Sequence, residues 1–282
     1  MNRLNKAIDL VTEDFWVSRH SYLQPVAQLH ALADTIAAGT LNEDPDVPIW
    51  DNYVADFQQG VPLLESSAVV IDLAIAARTV VLLIQKLASG LPPGKLAQET
   101  RALDSELRCD PGAPRRAVAW LLDRDEYASA CPGLLRYLGW TALARHLHPV
   151  VSAFAGWRED EGWLHNYCPT CGSRPSMAQL VGTDPGRLRL LSCGRCKTRW
   201  RYRRTGCPFC ENQNDHRLAV LTVEGEGGLR IDYCESCRSY LKTYDGEGSE
   251  NVFLADWTSI HLDIIACDRG LKRSAASLYQ VS

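Results

Sequence analysis

The stretch CGRCKTRWRYRRTGCPFC, residues 193–210, holds two CxxC pairs, Cys193/Cys196 and Cys207/Cys210, on either side of a basic, aromatic-rich run. Working outward, CPTCGSRP at 168–175 places Cys168 and Cys171 upstream, and DYCESCRSYLKTYD at 232–245 places Cys234 and Cys237 downstream. The four pairs form an internal repeat. Cys168 and Cys171 map onto Cys207 and Cys210 at an offset of 39, and Cys193 and Cys196 map onto Cys234 and Cys237 at an offset of 41. Each repeat reads CxxC, hairpin, CxxC. Short apolar runs at 177–181 and 187–192 flank a turn at 183–186, and runs at 217–223 and 229–233 flank a Gly-rich turn. An aromatic-containing strand follows each second pair, at 200–202 and 239–244.

The spacing has a chemical reason. A CxxC turn aims two sulfurs at one centre while backbone N–H groups can bond to them, and two such turns joined by a hairpin close a tetrahedral four-sulfur site for zinc or iron. Dithiol exchange asks instead for one CxxC opening a helix after a strand, and four pairs in ribbon settings argue against it. The repeat joins the first pair with the second and the third with the fourth. The alternative joins Cys193/Cys196 to Cys207/Cys210 across ten intervening residues.

Upstream of residue 165 the texture is helical. Val26, Leu29, Ala33 and Ile36 follow a helical step. In VVIDLAIAARTVVLLIQKLASG the polar residues Asp72, Thr79 and Lys86 recur every seven positions, leaving one narrow wet stripe on a helix expected at the centre of a bundle. Further helices are expected at 95–107, 114–124 and 131–156, with Pro149 kinking or restarting the last. The expected fold is an all-helical domain, 1–165, then two tandem four-cysteine ribbons, 166–205 and 206–256, and a helical tail, 257–282.

Composition narrows the function. In 282 residues the net charge is only −4, too small to mark the whole chain as a nucleic-acid or membrane binder. The most apolar stretch, 69–87, carries Asp72, Arg78 and Lys86, so no membrane span is expected. The first twenty residues mix charges throughout, unlike a secretory leader, and cysteine-rich knuckles suit a reducing compartment. His146 and His148 stand two apart, on different faces of a helix, and form no catalytic pair. No nucleophile–base pair or phosphate loop is visible.

Charge separates the repeats. Residues 165–205 hold nine Lys/Arg against Asp184 alone, whereas 206–256 hold four basic and ten acidic residues. The run Arg199, Trp200, Arg201, Arg203 and Arg204 suits an acidic protein partner, a single-stranded nucleic acid or plain solvent.

At these motifs, and in ADWTSIHLDIIACDRG at 255–270, the chain resembles the formate dehydrogenase accessory protein family, FdhE. The resemblance implies that the two ribbons are rubredoxin-like (zinc-ribbon-like) subdomains after the all-helical domain, in a non-enzymatic, cytoplasmic assembly factor that contacts the catalytic subunit of a respiratory formate dehydrogenase. It implies two iron ions per chain, zinc being a possible substitute, held by Cys168, Cys171, Cys193 and Cys196 and by Cys207, Cys210, Cys234 and Cys237. Nothing carries over to Cys109, Cys131 and Cys267, expected to be buried as small apolar residues. A zinc-ribbon nucleic-acid binder and a rubredoxin-like electron carrier are the alternatives.

Overall fold

Period-3.6 apolar patterning gives helices as far as residue 157, and period-2 patterning gives strands from 177. The structure, a computed structural model, describes residues 20–39, 45–183, 187–248 and 250–279. The helices are α1 (Gln24–Ala38), α2 (Val54–Gln58), α3 (Ala74–Gly90), α4 (Lys95–Cys109), α5 (Ala113–Leu121), α6 (Pro132–Trp157), α7 (Glu250–Phe253) and α8 (Ile260–Asp268). The strands are β1 (Met177–Val181), β2 (Leu188–Ser192), β3 (Arg199–Tyr202), β4 (Leu218–Thr222), β5 (Leu229–Cys234) and β6 (Tyr240–Asp245).

Helix α3 is central, touching α1, α4, α5 and α6. It starts at Ala74, so Asp72 precedes it, and Thr79 is buried with its hydroxyl donating to the Ile75 carbonyl. The expected wet stripe is thus broken at its middle position. Pro149 does not restart α6, which runs through it to Trp157. His146 is buried, its Nε2 2.9 Å from the Asp72 carbonyl oxygen, and His148 is exposed. Cys109 and Cys267 are exposed and Cys131 is half-buried, against the expectation of burial. Cys109 is the last residue of α4 and Cys267 the penultimate residue of α8, both at exposed helix ends.

The two repeats share one sheet, in the order β3-β2-β1-β6-β5-β4. Each repeat supplies three antiparallel strands, and the repeats join through a parallel pairing of β1 with β6, Met177 opposite Lys242. Burial explains the merger. Every residue of β1 but the last is buried, so both its faces are covered. Ala178, Leu191, Trp200 and Leu241 join the core cluster that includes Val80, Leu83 and Leu143 of the helices. Their alternate neighbours Met177, Ile231, Tyr240 and Tyr244 pack with Leu262 and Ala266 of α8 and with Leu271. Neither three-stranded ribbon has this much apolar surface alone, and joined edge to edge between two helical layers they bury both faces.

Candidate metal centres

All four CxxC turns adopt one local geometry. The N–H of each first cysteine donates to the carbonyl five residues on: Cys168 to Ser173, Cys193 to Thr198, Cys207 to Asn212 and Cys234 to Ser239, each at 2.9 Å. The residue after each second cysteine takes a positive φ: Gly172 at 70°, Lys197 at 64°, Glu211 at 58° and Arg238 at 61°. That left-handed residue turns the chain back under the sulfurs. Only one of the four is glycine, so the other three carry a backbone conformation that L-residues adopt at a cost.

The turns bring the eight cysteines into two clusters. Cys168, Cys171, Cys193 and Cys196 form one, and Cys207, Cys210, Cys234 and Cys237 the other, with all sulfurs of a cluster within 4.8 Å of one another. This is first-with-second and third-with-fourth pairing, and the ten-residue alternative is excluded. In the first cluster Cys168 Sγ is 3.4 Å from Cys196 Sγ, and Cys171 Sγ is 3.5 Å from Cys193 Sγ. In the second, Cys207 is 3.7 Å from Cys237 and Cys210 is 3.8 Å from Cys234. A tetrahedron of ~2.3 Å metal–sulfur bonds sets its sulfurs roughly 3.8 Å apart. The backbone N–H groups of Thr170 and Phe209 point at Cys168 Sγ and Cys207 Sγ, each at 3.4 Å, as thiolate ligands require. The donor set therefore fits zinc or iron, and each cluster can hold one ion.

The clusters differ in surroundings. In the first, three cysteines are buried and Cys171 is half-buried, and the Thr170 and Thr198 hydroxyls meet at 2.7 Å beside them. Its first knuckle is tied to the helical half by Leu63 N–H to Pro169 O and Leu64 N–H to Thr170 O, both 2.8 Å. Its second knuckle is tied by Arg195 to Asp123 at 2.8 Å, with the Arg195 guanidinium over the Trp140 ring. In the second cluster Cys210 is exposed and Cys237 half-buried. Burial pushes the Cys168 and Cys196 thiols up. Burial also raises Cys234, but the backbone N–H groups of Cys237 and Ser236 outweigh it and bring that thiol to about 7. Asn212 Nδ2 lies 3.9 Å from Cys234 Sγ, a contact the CxxC pattern does not announce.

The basic strand is more occupied than its composition suggests. Trp200, expected on a docking face, is 1% exposed, and its indole N–H donates to the His165 carbonyl. Strand alternation places Trp200 and Tyr202 inward together. Arg199 is half-buried, its guanidinium donating to Gln179, whose amide in turn donates to Glu250. Arg201 pairs with Glu161 at 2.6 Å. Arg203 and Arg204 are exposed.

With this geometry in view, the likeness to known proteins is informative. The FdhE central domain model matches residues 167–204, the span of the first cluster and its basic strand. The chain is related to the FdhE proteins. The FdhE homologue of Aquifex aeolicus is 35% identical over 133 residues, covering 45% of this chain and 47% of that protein. The homologue of Stutzerimonas stutzeri is 32% identical over 188 residues, covering 63% and 58%. The chain thus spans about half the length of the curated relatives it matches. The crystal structure of FdhE from Pseudomonas aeruginosa shares the fold, with a TM-score of 0.63 at 22% identity over 96% of this chain and 94% of that one. Among the described residues no helix is long and apolar enough to cross a membrane.

Proposed function

We propose that the chain is a metal-binding accessory protein for the maturation of a respiratory formate dehydrogenase, acting on the catalytic subunit in the cytoplasm without turnover of its own. The observation that carries this reading is the doubled four-cysteine arrangement on one sheet, in a chain related to FdhE. Cys168, Cys171, Cys193 and Cys196 would hold one ion, and Cys207, Cys210, Cys234 and Cys237 a second, with iron preferred and zinc as its substitute. Two rubredoxin-like units fused edge to edge describe the metal-bearing half, and residues 1–165 the helical half. Of the basic strand, Arg203 and Arg204 are exposed toward an acidic partner, Arg201 would exchange its Glu161 pair for that partner's carboxylates, and Trp200 lies buried beside them. The internal bonds of Arg199 and Arg201 weigh against a nucleic-acid groove, which needs its cations and rings free.

The test is affinity purification of the chain from formate-grown cells, with metal analysis and an absorption spectrum of what is recovered. Co-purification of the formate dehydrogenase catalytic subunit, with two metal ions per chain, supports the reading. Recovery of RNA instead, or of one ion, overturns it.

One observation favours a second reading. Cys210 is exposed, and an electron carrier needs a ligand edge open to its partner. Reversible one-electron reduction at the second cluster, lost in Cys210→Ser, would promote that role.

A further inference from the structure

Away from the thiolate clusters, three ligating side chains converge from distant parts of the chain. They are His20, just ahead of α1, Glu226, in the turn between β4 and β5, and His261, in the first turn of α8. His20 Nε2 and His261 Nε2 each lie 3.2 Å from the same carboxylate oxygen, Glu226 Oε1. The two imidazoles stack, with ring centroids 4.1 Å apart, and present both Nε2 atoms to that oxygen. The geometry points to a third metal site, distinct in chemistry from the other two: two imidazoles and one carboxylate holding a first-row divalent cation.

Two observations support it. Ligand atoms of a tetrahedral site with bonds near ~2.1 Å lie roughly 3.4 Å apart, and the contacts of 3.2 Å are close to that spacing. The Glu226 side chain is only 7% exposed, and its Oε2 is buried without a hydrogen-bond partner. A buried carboxylate oxygen left so is costly, and a cation bound at the carboxylate removes the cost.

The surrounding backbone is built to deliver Glu226. Gly225 and Gly228 take φ of 84° each, folding the hairpin tip over, and Glu226 N–H donates to the Val223 carbonyl at 3.1 Å. A donor set of two nitrogens and one oxygen prefers zinc, ferrous iron and their neighbours, and disfavours the soft sulfur-bound states of the clusters. Three protein ligands leave a position for water or an exchangeable anion, so this ion would be the more labile of the three. Its ligands also join the helical half to the second repeat and to α8.

The experiment uses the full chain with both four-cysteine clusters first filled with zinc, then titrated with Co2+. One further equivalent of Co2+ is expected, with X-ray absorption at the cobalt edge showing nitrogen and oxygen neighbours only. Glu226→Gln and His261→Ala should each weaken that equivalent at least about tenfold. Both variants should keep their two zinc ions and the helical circular dichroism. If His261→Ala does not fold, Glu226→Gln, nearly the same shape, carries the test alone. A stoichiometry that stops at two zinc ions would mean a hydrogen-bonded cluster only and overturn the proposal. So would sulfur in the cobalt shell, or a third equivalent bound equally well by Glu226→Gln. These outcomes are independent of whether the chain serves formate dehydrogenase.

Discussion

Arg187, from the basic repeat, forms an ion pair with Asp245, from the acidic repeat, and Arg230 reaches the same carboxylate at 3.0 Å. The opposite charges of the two repeats are thus partly spent on each other, at the end of the sheet where β1 and β6 run parallel. Asp245→Asn should destabilise the fold by about 1–2 kcal/mol, more than an exposed pair would, because the half-buried Arg187 loses its carboxylate and Arg230 keeps only Asp232. Thermal unfolding at low and high salt checks this, and the difference between the proteins should shrink as salt rises.

The two clusters should differ in what their loss does. Both clusters touch the core, but Cys168 is fully buried and its knuckle is bonded to the Leu63 and Leu64 backbone of the helical half, so Cys168→Ser should lower the melting of the helical half as well as remove one metal. Cys237→Ser, at the more exposed cluster, should also remove one metal but leave the helical circular dichroism nearly intact. The lost binding energy is large in either case, roughly 10 kcal/mol or more in isolated zinc knuckles. Equal loss of helix in both variants would show that the sheet unfolds as one cooperative unit.

A buried ionic network clamps the C-terminal segment to β6. Lys242 lies 2.8 Å from both Asp256 and Asp263, Arg273 pairs with both carboxylates, and the Tyr240 hydroxyl donates to Asp263 at 2.8 Å. Burial alone would raise the Asp256 carboxyl, but Lys242 and Arg273 outweigh it and hold it well below the usual carboxylate range. A depressed folded-state value contributes stability that is present at neutral pH. That stability is lost as pH falls below about 4 toward the folded value. Asp256→Asn should therefore cost about 3–5 kcal/mol at pH 7. The gap to the unmodified protein should close in acid, as followed by denaturant unfolding across pH.

Backbone strain at the knuckles gives a prediction with the opposite sign. Glu211 holds φ of 58° on an exposed turn, where glycine would carry no penalty. Glu211→Gly should raise the stability of the metal-loaded protein by roughly 0.5 kcal/mol, and Glu211→Val should lower it by at least about 1 kcal/mol. Chemical unfolding of the two variants at fixed metal loading decides the matter.

For the basic face, Arg201→Glu with Arg203→Glu should weaken complex formation with the enzyme subunit and slow maturation while metal content stays the same. The salt dependence of binding should fall as well, because screened surface charges dominate such association. Normal pull-down and normal maturation with this double variant would remove the face from the interaction.

The CxxC repeat made both four-cysteine clusters, their pairing and all six strands legible from the sequence. Cysteine spacing and period-2 alternation are local properties, and a turn or a strand is decided within a few residues. Helices α1, α3, α4, α5, α6 and α8 were legible for the same reason, apart from the start of α3 at Ala74, whereas the short α2 and α7 hold too few turns to show a period. Contacts between remote segments were not. Nothing in the residues of β1 and β6 announces that Met177 would lie beside Lys242, since edge pairing depends on what covers the two faces. Trp200 reads as part of a basic aromatic strip, and only the helical layer beneath β3 decides that it points inward. His20, Glu226 and His261 share no spacing at all, being brought together from an end of the helical half, a hairpin tip and α8. The sequence by itself determined the local chemistry, four metal-binding turns in two matched repeats. The tertiary structure alone decided which strand edges met, which charges were spent inside, and which distant side chains converged, because burial of apolar faces selects those long-range contacts and no local pattern encodes them.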